Sequence, residues 1–325
     1  MTIKKWKDIK GDFTHALLLG NGASIQLWGD FKYDSLWQAA KDTGDITEEI
    51  DNLAYALHTG TNFELLLNKL FEVINVNKEF DIKSDKIKNA YKSIQQALIK
   101  TVRKNHCEYC EVEDRFYEQI PFLKNFNTIF SLNYDLLIYW MILASNDETE
   151  IKQFYDCFTP LGFWDEHLRN YWKPASDQNQ FTCVFYPHGA LHLARDRQSN
   201  DKKISVKGAD LLNTIIRQWS NNESLPLFVS EGNSVSKLAS IKRSDYLLKV
   251  YNEILPKSGP TLVIYGWSMD ETVDGHILNQ IIGGNYEKIA VHIHRPKTED
   301  IDQFIIDTNE KLKNNFNEIT YFELD

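Results

Sequence analysis

Along this chain, short apolar runs end at glycine or polar clusters and alternate with stretches of helical spacing. The run Thr14-His15-Ala16-Leu17-Leu18-Leu19 stops at Gly20-Asn21-Gly22-Ala23-Ser24 and resumes as Ile25-Gln26-Leu27-Trp28, which predicts strand, glycine turn and helix. From about 34 to 121 the spacing is helical throughout. Thr61-Asn62-Phe63-Glu64 reads as a capping box, with Glu64 reaching back to the Thr61 amide, and Ile87, Ala90, Tyr91, Ile94, Ala97, Leu98 and Val102 share one helix face. Beyond Pro121 the alternation returns: strands are predicted at 127–131, 182–186, 225–230, 261–265, 288–294 and 319–324, and helices at 135–143, at 244–255 and through Ile277 and Ile281. The polar stretch 196–207 reads as a loop.

Strands alternating with helices predict an α/β fold, a Rossmann-like parallel sheet flanked by helices, with a helical insert after the first βα unit. The expected division is a main domain of residues 1–33 and 121–325 with an insert subdomain at 34–120.

Composition narrows the function. At 325 residues with 42% hydrophobic and 25% charged residues, the chain can bury a large core without disulfides. The net charge of −10 opposes phosphate neutralisation, so direct nucleic-acid binding is not expected. Met1-Thr2-Ile3-Lys4-Lys5 opens no signal peptide and no run is long enough to span a bilayer, so a cytoplasmic protein with no membrane partner is expected. Cys107 and Cys110 form one Cys-x-x-Cys beside His106, while Cys157 and Cys183 stand alone. A structural zinc site wants four ligands, usually two such pairs, so a reduced, surface-lying pair and no metal are expected.

Four polar clusters fall where a parallel sheet places its ligands, at the carboxyl ends of strands. In Gly20-Asn21-Gly22-Ala23-Ser24 the glycines permit a tight turn and close approach to a pyrophosphate, and Ser24 can cap the helix; a plain strand-to-helix turn has the same composition. In Ser131-Leu132-Asn133-Tyr134-Asp135, taken alone, Asn133 or Asp135 is a helix cap. Pro187-His188-Gly189-Ala190 puts an imidazole that titrates near neutrality at a strand end, beside a glycine that leaves room for a ligand. Gly266-Trp267-Ser268 follows the most apolar strand and offers a glycine and a hydroxyl to a ribose or phosphate. His292 and His294 alternate on one strand face, as packing or solvation would place them.

In this order the clusters resemble the motif series of sirtuin-like NAD-binding domains, spread over most of the chain. The resemblance implies that Gly20, Asn21, Gly22, Ala23 and Ser24 hold the pyrophosphate, and that Asn133 and Asp135, with Tyr134 between them, meet the nicotinamide ribose. It implies that Gly266 and Ser268 hold the adenosine-side ribose, and that His188, followed by Gly189, is the catalytic histidine. Sirtuin deacylases carry a zinc ribbon with two Cys-x-x-Cys pairs after that histidine; here the single pair precedes Asn133. The chain is more similar to the sirtuin-like branch of prokaryotic anti-phage defence, which lacks the ribbon, carries helical inserts and consumes NAD. The segment Leu227-Phe228-Val229-Ser230-Glu231-Gly232 and the later Ser244-Asp245-Tyr246-Leu247 also resemble that branch.

The implied activity is an NAD+ glycohydrolase, a hydrolase of the nicotinamide–ribose bond that depletes NAD during infection, with NAD as substrate. A homo-oligomer is expected, and a defence-system partner such as an ATPase is compatible with the insert. Three other readings stay open: a catalytically silent NAD or ADP-ribose sensor, an interaction subunit docking an ATPase through the insert, and a deacylase.

Overall fold

The computed structural model describes residues 3–29, 35–146, 152–173, 181–196, 198, 200–206, 210–221, 223–229, 231–294, 298–312 and 315–324. Of the positions named above, Met1, Thr2, Tyr33, Asp34, Lys207, Ser230 and Asp325 lie outside that set.

Thirteen strands are described: β1 (Lys4–Lys5), β2 (Ala16–Leu19), β3 (Thr128–Ser131), β4 (Gln153–Tyr155), β5 (Phe158–Thr159), β6 (Gly162–Phe163), β7 (Phe181–Phe185), β8 (Gly189–Arg195), β9 (Asp201–Lys203), β10 (Leu225–Phe228), β11 (Thr261–Tyr265), β12 (Lys288–His292) and β13 (Glu318–Glu323). Eight of them form the central sheet in the order β1-β13-β12-β11-β2-β3-β7-β4, and every pairing in it is parallel. The α/β class and the Rossmann-like sheet flanked by helices are therefore as the alternating pattern predicts. β2, β3 and β11 are buried at every position, because a parallel sheet is covered on both faces and its middle strands must be apolar throughout.

Residues 36–123 are helical, in Leu36–Asp42, Glu48–Ala56, Phe63–Glu79, Asp85–Asn105, a single 3₁₀ turn at Tyr109–Glu111, and Glu113–Leu123. Their buried side chains, among them Trp37, Phe63, Leu98 and Phe116, belong to the same hydrophobic core as the sheet residues Leu18, Ile129 and Val263. The capping box expected at Thr61 does not form, and a simple cap one residue on takes its place. Asn62 is the cap and accepts the Leu65 N–H at 2.8 Å, while the Thr61 hydroxyl turns away to Glu231.

Two further expectations change. The run 225–230 is a strand, but β10 leaves the parallel sheet and pairs antiparallel with β8 in a separate sheet of order β10-β8-β9, since a short apolar run carries no information about which sheet it joins. Within the stretch expected to be loop, Asp201–Lys203 is a strand, fixed by tertiary bonds: the Asp201 carboxylate accepts from the Ser244 hydroxyl at 2.6 Å and the Tyr246 amide at 3.0 Å, and pairs with Arg195. Among the described residues no helix is long and apolar enough to cross a membrane.

Candidate functional site

The strand order reverses between β2 and β11: the chain proceeds from β2 to β3 on one side and places β11, β12 and β13 on the other. Such a switch point opens a crevice beyond the carboxyl ends of the strands. The loops leaving β2, β3, β7 and β11 all emerge at that edge and surround a cavity of about 660 Å³, well within the size of small-molecule sites. Of the expected site residues, Gly20, Asn21, Gly22, Asn133, Tyr134, His188, Gly266 and Ser268 line it. Ala23, Ser24, Asp135 and Gly189 do not.

The residues behind the wall hold it in place. Gly20 N–H donates to Tyr265 O at 2.9 Å and Gly22 N–H to Gly266 O at 2.7 Å, so the first loop is laced to the loop after β11. A Cβ on Gly20 would lie 2.6 Å from both Gly266 O and Trp267 Cα, and one on Gly22 2.7 Å from Gly266 Cα; glycine is required by this loop-to-loop contact. With the Ala23 amide also bonded, to Gly20 O at 3.0 Å, three of the amides expected to cradle a pyrophosphate are already engaged. Asn21 Oδ1 is different: it is buried without a hydrogen-bond partner among the described residues, on a side chain that lines the cavity.

Ser24, Asn133 and Asp135 form one buried brace. The Ser24 hydroxyl donates to Asp135 Oδ2 at 2.6 Å and accepts from Asn133 Nδ2 at 2.8 Å, and the same Nδ2 donates to Gly20 O at 2.9 Å. Asp135 Oδ1 accepts the Leu137 amide at 2.9 Å at the start of the helix Leu137–Asn146. Asp135 is 1% exposed, and both of its oxygens are taken within the protein. It joins the β2 loop to the β3 loop from behind, and of the three side chains expected to carry the chemistry, Asn133, Asp135 and His188, only Asn133 and His188 line the cavity. His106 supports the same loop: its Nδ1 bonds Cys107 O at 2.8 Å and its Nε2 accepts the Leu136 amide at 3.0 Å. Cys107 beside it is buried and Cys110 exposed, so the pair expected at the surface is only half there.

His188 sits in a tight turn at the end of β7, closed by Gly189 N–H to Tyr186 O at 2.9 Å, with Pro187 at the position where its fixed φ suits a turn. Gly189 has φ +71°, and a Cβ there would lie 2.2 Å from Leu227 O, so this glycine serves the turn and the contact with β10. One ring nitrogen of His188 bonds the Leu132 backbone carbonyl. The other, Nε2, lies 2.9 Å from Nε2 of His276, and His276 Nδ1 lies 3.2 Å from the Ser234 hydroxyl. Across from them stands Asp274, 3.8 Å from His188 Nε2, bonded to the Lys237 ammonium at 2.9 Å and the Trp267 indole N–H at 3.1 Å. The helix Glu271–Ile282 breaks its own geometry at Asp274, where φ is −129°, in the turn that carries Asp274 and His276 to the cavity side.

Burial, and after it the nearby Lys237 ammonium, push the His188 imidazole down to about 3, so the ring is neutral at physiological pH. Burial likewise takes His276 down to about 4. For Asp274 burial works against ionisation, but the His188 ring and the Lys237 ammonium hold the carboxyl below its usual range. His188, Asp274 and His276 offer three metal-ligand atoms within 4.8 Å of one another. The carboxylate among them is already paired with Lys237 at 2.9 Å.

The helical segment closes another side of the cavity through Ser35, Leu36 and Thr61. Glu231 pins it there, its carboxylate accepting from the Ser35 hydroxyl at 2.7 Å and the Trp37 amide at 2.9 Å. Burial raises Glu231 above the usual carboxylate range against the pull of those donors. Beside the cavity, sharing Trp267 and Ser268 with it, lies an apolar chamber of about 300 Å³ walled by Ile293, Ile301 and Phe304.

Sequence reading missed Glu231, Lys237, Asp274 and His276. A visible hint was the charged and polar run Asp274-Gly275-His276 just ahead of the apolar Ile277, Leu278 and Ile281, since such groups enter a buried helix face only with partners.

The chain belongs to the DUF4917 family, described as a domain of unknown function, whose model matches residues 17–325. No curated protein matches it.

Proposed function

We propose that this protein is a sirtuin-like NAD+ glycohydrolase that cleaves the nicotinamide–ribose bond and yields nicotinamide and ADP-ribose. The observation that carries the reading is the meeting of Asn133 and a neutral His188 in one cavity at the switch point of a parallel sheet, beside an apolar chamber of a size to take the adenine.

NAD+ hydrolysis runs through an oxocarbenium-like ribose, and nicotinamide departs as a neutral base by keeping the pair of the broken C1′–N bond, so no acid is needed for the leaving group. The enzyme must position a water and take its proton. Both Nδ2 hydrogens of Asn133 are engaged, so its carbonyl oxygen is the atom that would accept from a ribose hydroxyl or the attacking water. His188 Nε2, the ring nitrogen that lies against His276, receives the proton as the new C1′–O bond forms and parts from His276 to do so. Asn21 Oδ1 takes a ligand hydroxyl or amide, and Trp267 and Ser268 stand between the two chambers, against the adenosine half. Asp135 is assigned a positioning role, holding Asn133 through Ser24. The resemblance to anti-phage proteins extends the proposal to NAD depletion as the biological output, in a homo-oligomer that an ATPase or another defence protein controls.

The test is incubation of the purified chain with NAD+, following nicotinamide and ADP-ribose by chromatography. Release is expected, and His188→Ala should slow it by about 100- to 10,000-fold in protein that circular dichroism shows to be folded. Tight NAD+ binding with no nicotinamide released would replace the hydrolase by a sensor.

A further inference from the structure

His188, His276 and Asp274 are arranged as ligands around one point. The two imidazoles meet Nε2 to Nε2 at 2.9 Å, and Asp274 Oδ1 lies 3.8 Å from His188 Nε2. In a tetrahedral site with metal–ligand bonds of about 2.0–2.1 Å, any two ligand atoms stand about 3.3–3.4 Å apart. The two separations fall on either side of that edge, and all three atoms lie within 4.8 Å of one another. Asp274 and His276 are two residues apart, a spacing that on a regular helix points side chains to nearly opposite sides. The break at Asp274, where φ is −129°, brings both to the same place. Each ligand is also held from behind. His188 gives its other ring nitrogen to the Leu132 carbonyl, which leaves a lone pair on Nε2, so the hydrogen between the two Nε2 atoms belongs to His276. Moved to His276 Nδ1, that hydrogen meets Ser234 Oγ at 3.2 Å, and both Nε2 lone pairs then face one point. Asp274 is oriented by the Trp267 indole N–H on its Oδ2 at 3.1 Å. His188 and Asp274 line the cavity, so a fourth position opens onto it.

We propose that His188, His276 and Asp274 bind a transition-metal dication of the Zn²⁺ type, and that its binding switches the hydrolase off. Two imidazoles and one carboxylate suit Zn²⁺ and its neighbours, whereas Mg²⁺ and Ca²⁺ take oxygen ligands. The metal bonds to the same Nε2 lone pair that takes the proton of the attacking water, so ligation and base catalysis exclude each other. The switch rests on the hydrolase reading; the site does not. Lys237 competes for it, because its ammonium holds Asp274 Oδ1 at 2.9 Å and, on a long stem at the cavity wall, must release that oxygen when the dication arrives.

Calorimetric titration of the full chain with zinc chloride, after treatment with a chelator, compares the parent with His276→Gln, Ser234→Ala and Lys237→Met. The parent is expected to bind one equivalent more than His276→Gln, whose site should weaken by more than about 100-fold, since changes behind a ligand already cost about 10- to 100-fold. Ser234→Ala should fall in that smaller range, and Lys237→Met should tighten the site by about tenfold or more. Co²⁺ used in place of Zn²⁺ should give visible absorption that His276→Gln lacks, without the near-ultraviolet thiolate bands that binding at Cys107 or Cys110 would add. In the nicotinamide assay, one equivalent of Zn²⁺ should slow the parent by about tenfold or more, and a chelator should restore the rate. Equal titration of the parent and folded His276→Gln overturns the site. If that variant does not fold, parental affinity in both Ser234→Ala and Lys237→Met overturns it instead. A zinc-loaded parent that hydrolyses NAD+ at its full rate overturns the switch. A parent that releases no nicotinamide even without zinc refutes the hydrolase and takes the switch with it, while the titration still decides the site.

Discussion

Replacing Asp135 separates bracing from catalysis. In Asp135→Asn the Leu137 amide keeps an acceptor, but the Ser24 hydroxyl loses the acceptor it now reaches at 2.6 Å and faces an amide nitrogen instead. That leaves one buried donor unsatisfied in place of a charge-assisted bond, a loss of about 1–3 kcal/mol. Asp135→Ala removes both bonds, strands the helix start as well, and should cost about 3–5 kcal/mol. At roughly 2 °C per kcal/mol for a chain of this size, apparent melting should fall by about 2–6 °C and about 6–10 °C, respectively, in thermal denaturation followed by circular dichroism. His188→Ala leaves the brace untouched but strands the Leu132 carbonyl, a loss of about 1–3 kcal/mol, so it too should melt about 2–6 °C below the parent. An Asp135→Asn protein that melts like the parent yet hydrolyses NAD+ a hundredfold more slowly would show that the carboxylate acts on the substrate, and the brace assignment would be wrong.

Three other outcomes follow from the same geometry. Gly20→Ala forces a methyl to within 2.6 Å of Gly266 O and Trp267 Cα; overpacking of this kind costs about 1–3 kcal/mol, and the parted loops should weaken NAD+ binding in calorimetry, whereas parental affinity would contradict the contact. With His188 pushed down to about 3, kcat/KM should stay flat from about pH 8 to pH 5, where an ordinary histidine base would already be lost below about 6.5, and Lys237→Met should move the acid limb upward. Both carboxyl oxygens of Glu64 are buried, and burial, with Glu231 as a lesser cause, raises it well above 4.5 against the pull of its own backbone amide. The folded state therefore holds this proton where the unfolded chain has lost it, so the parent loses stability as pH rises from 4.5 towards the folded value. Glu64→Gln, which mimics the protonated acid, should be more stable than the parent near neutral pH and equal to it near pH 4, and equal melting at both would refute the assignment.

Features set by local pattern could be read from the chain alone. Short, mostly apolar runs bounded by turn residues, such as Thr261–Tyr265, read as covered strands, and helical spacing through residues 87–102 buries one face, so the α/β class and the helical segment were legible without coordinates. Parallel strands also oblige the clusters after β2, β3, β7 and β11 to share an edge, which is why eight expected residues line one cavity. Direction was not legible. Whether Asp135 looks into the cavity or behind it, whether Gly22 offers its amide to a ligand or to Gly266, and whether Glu231, Lys237, Asp274 and His276 reach the site at all depend on contacts between positions far apart in the chain or on a single break in a helix. Those contacts are fixed only when the whole chain packs, since each buried polar atom takes whichever partner the tertiary structure brings within hydrogen-bond reach.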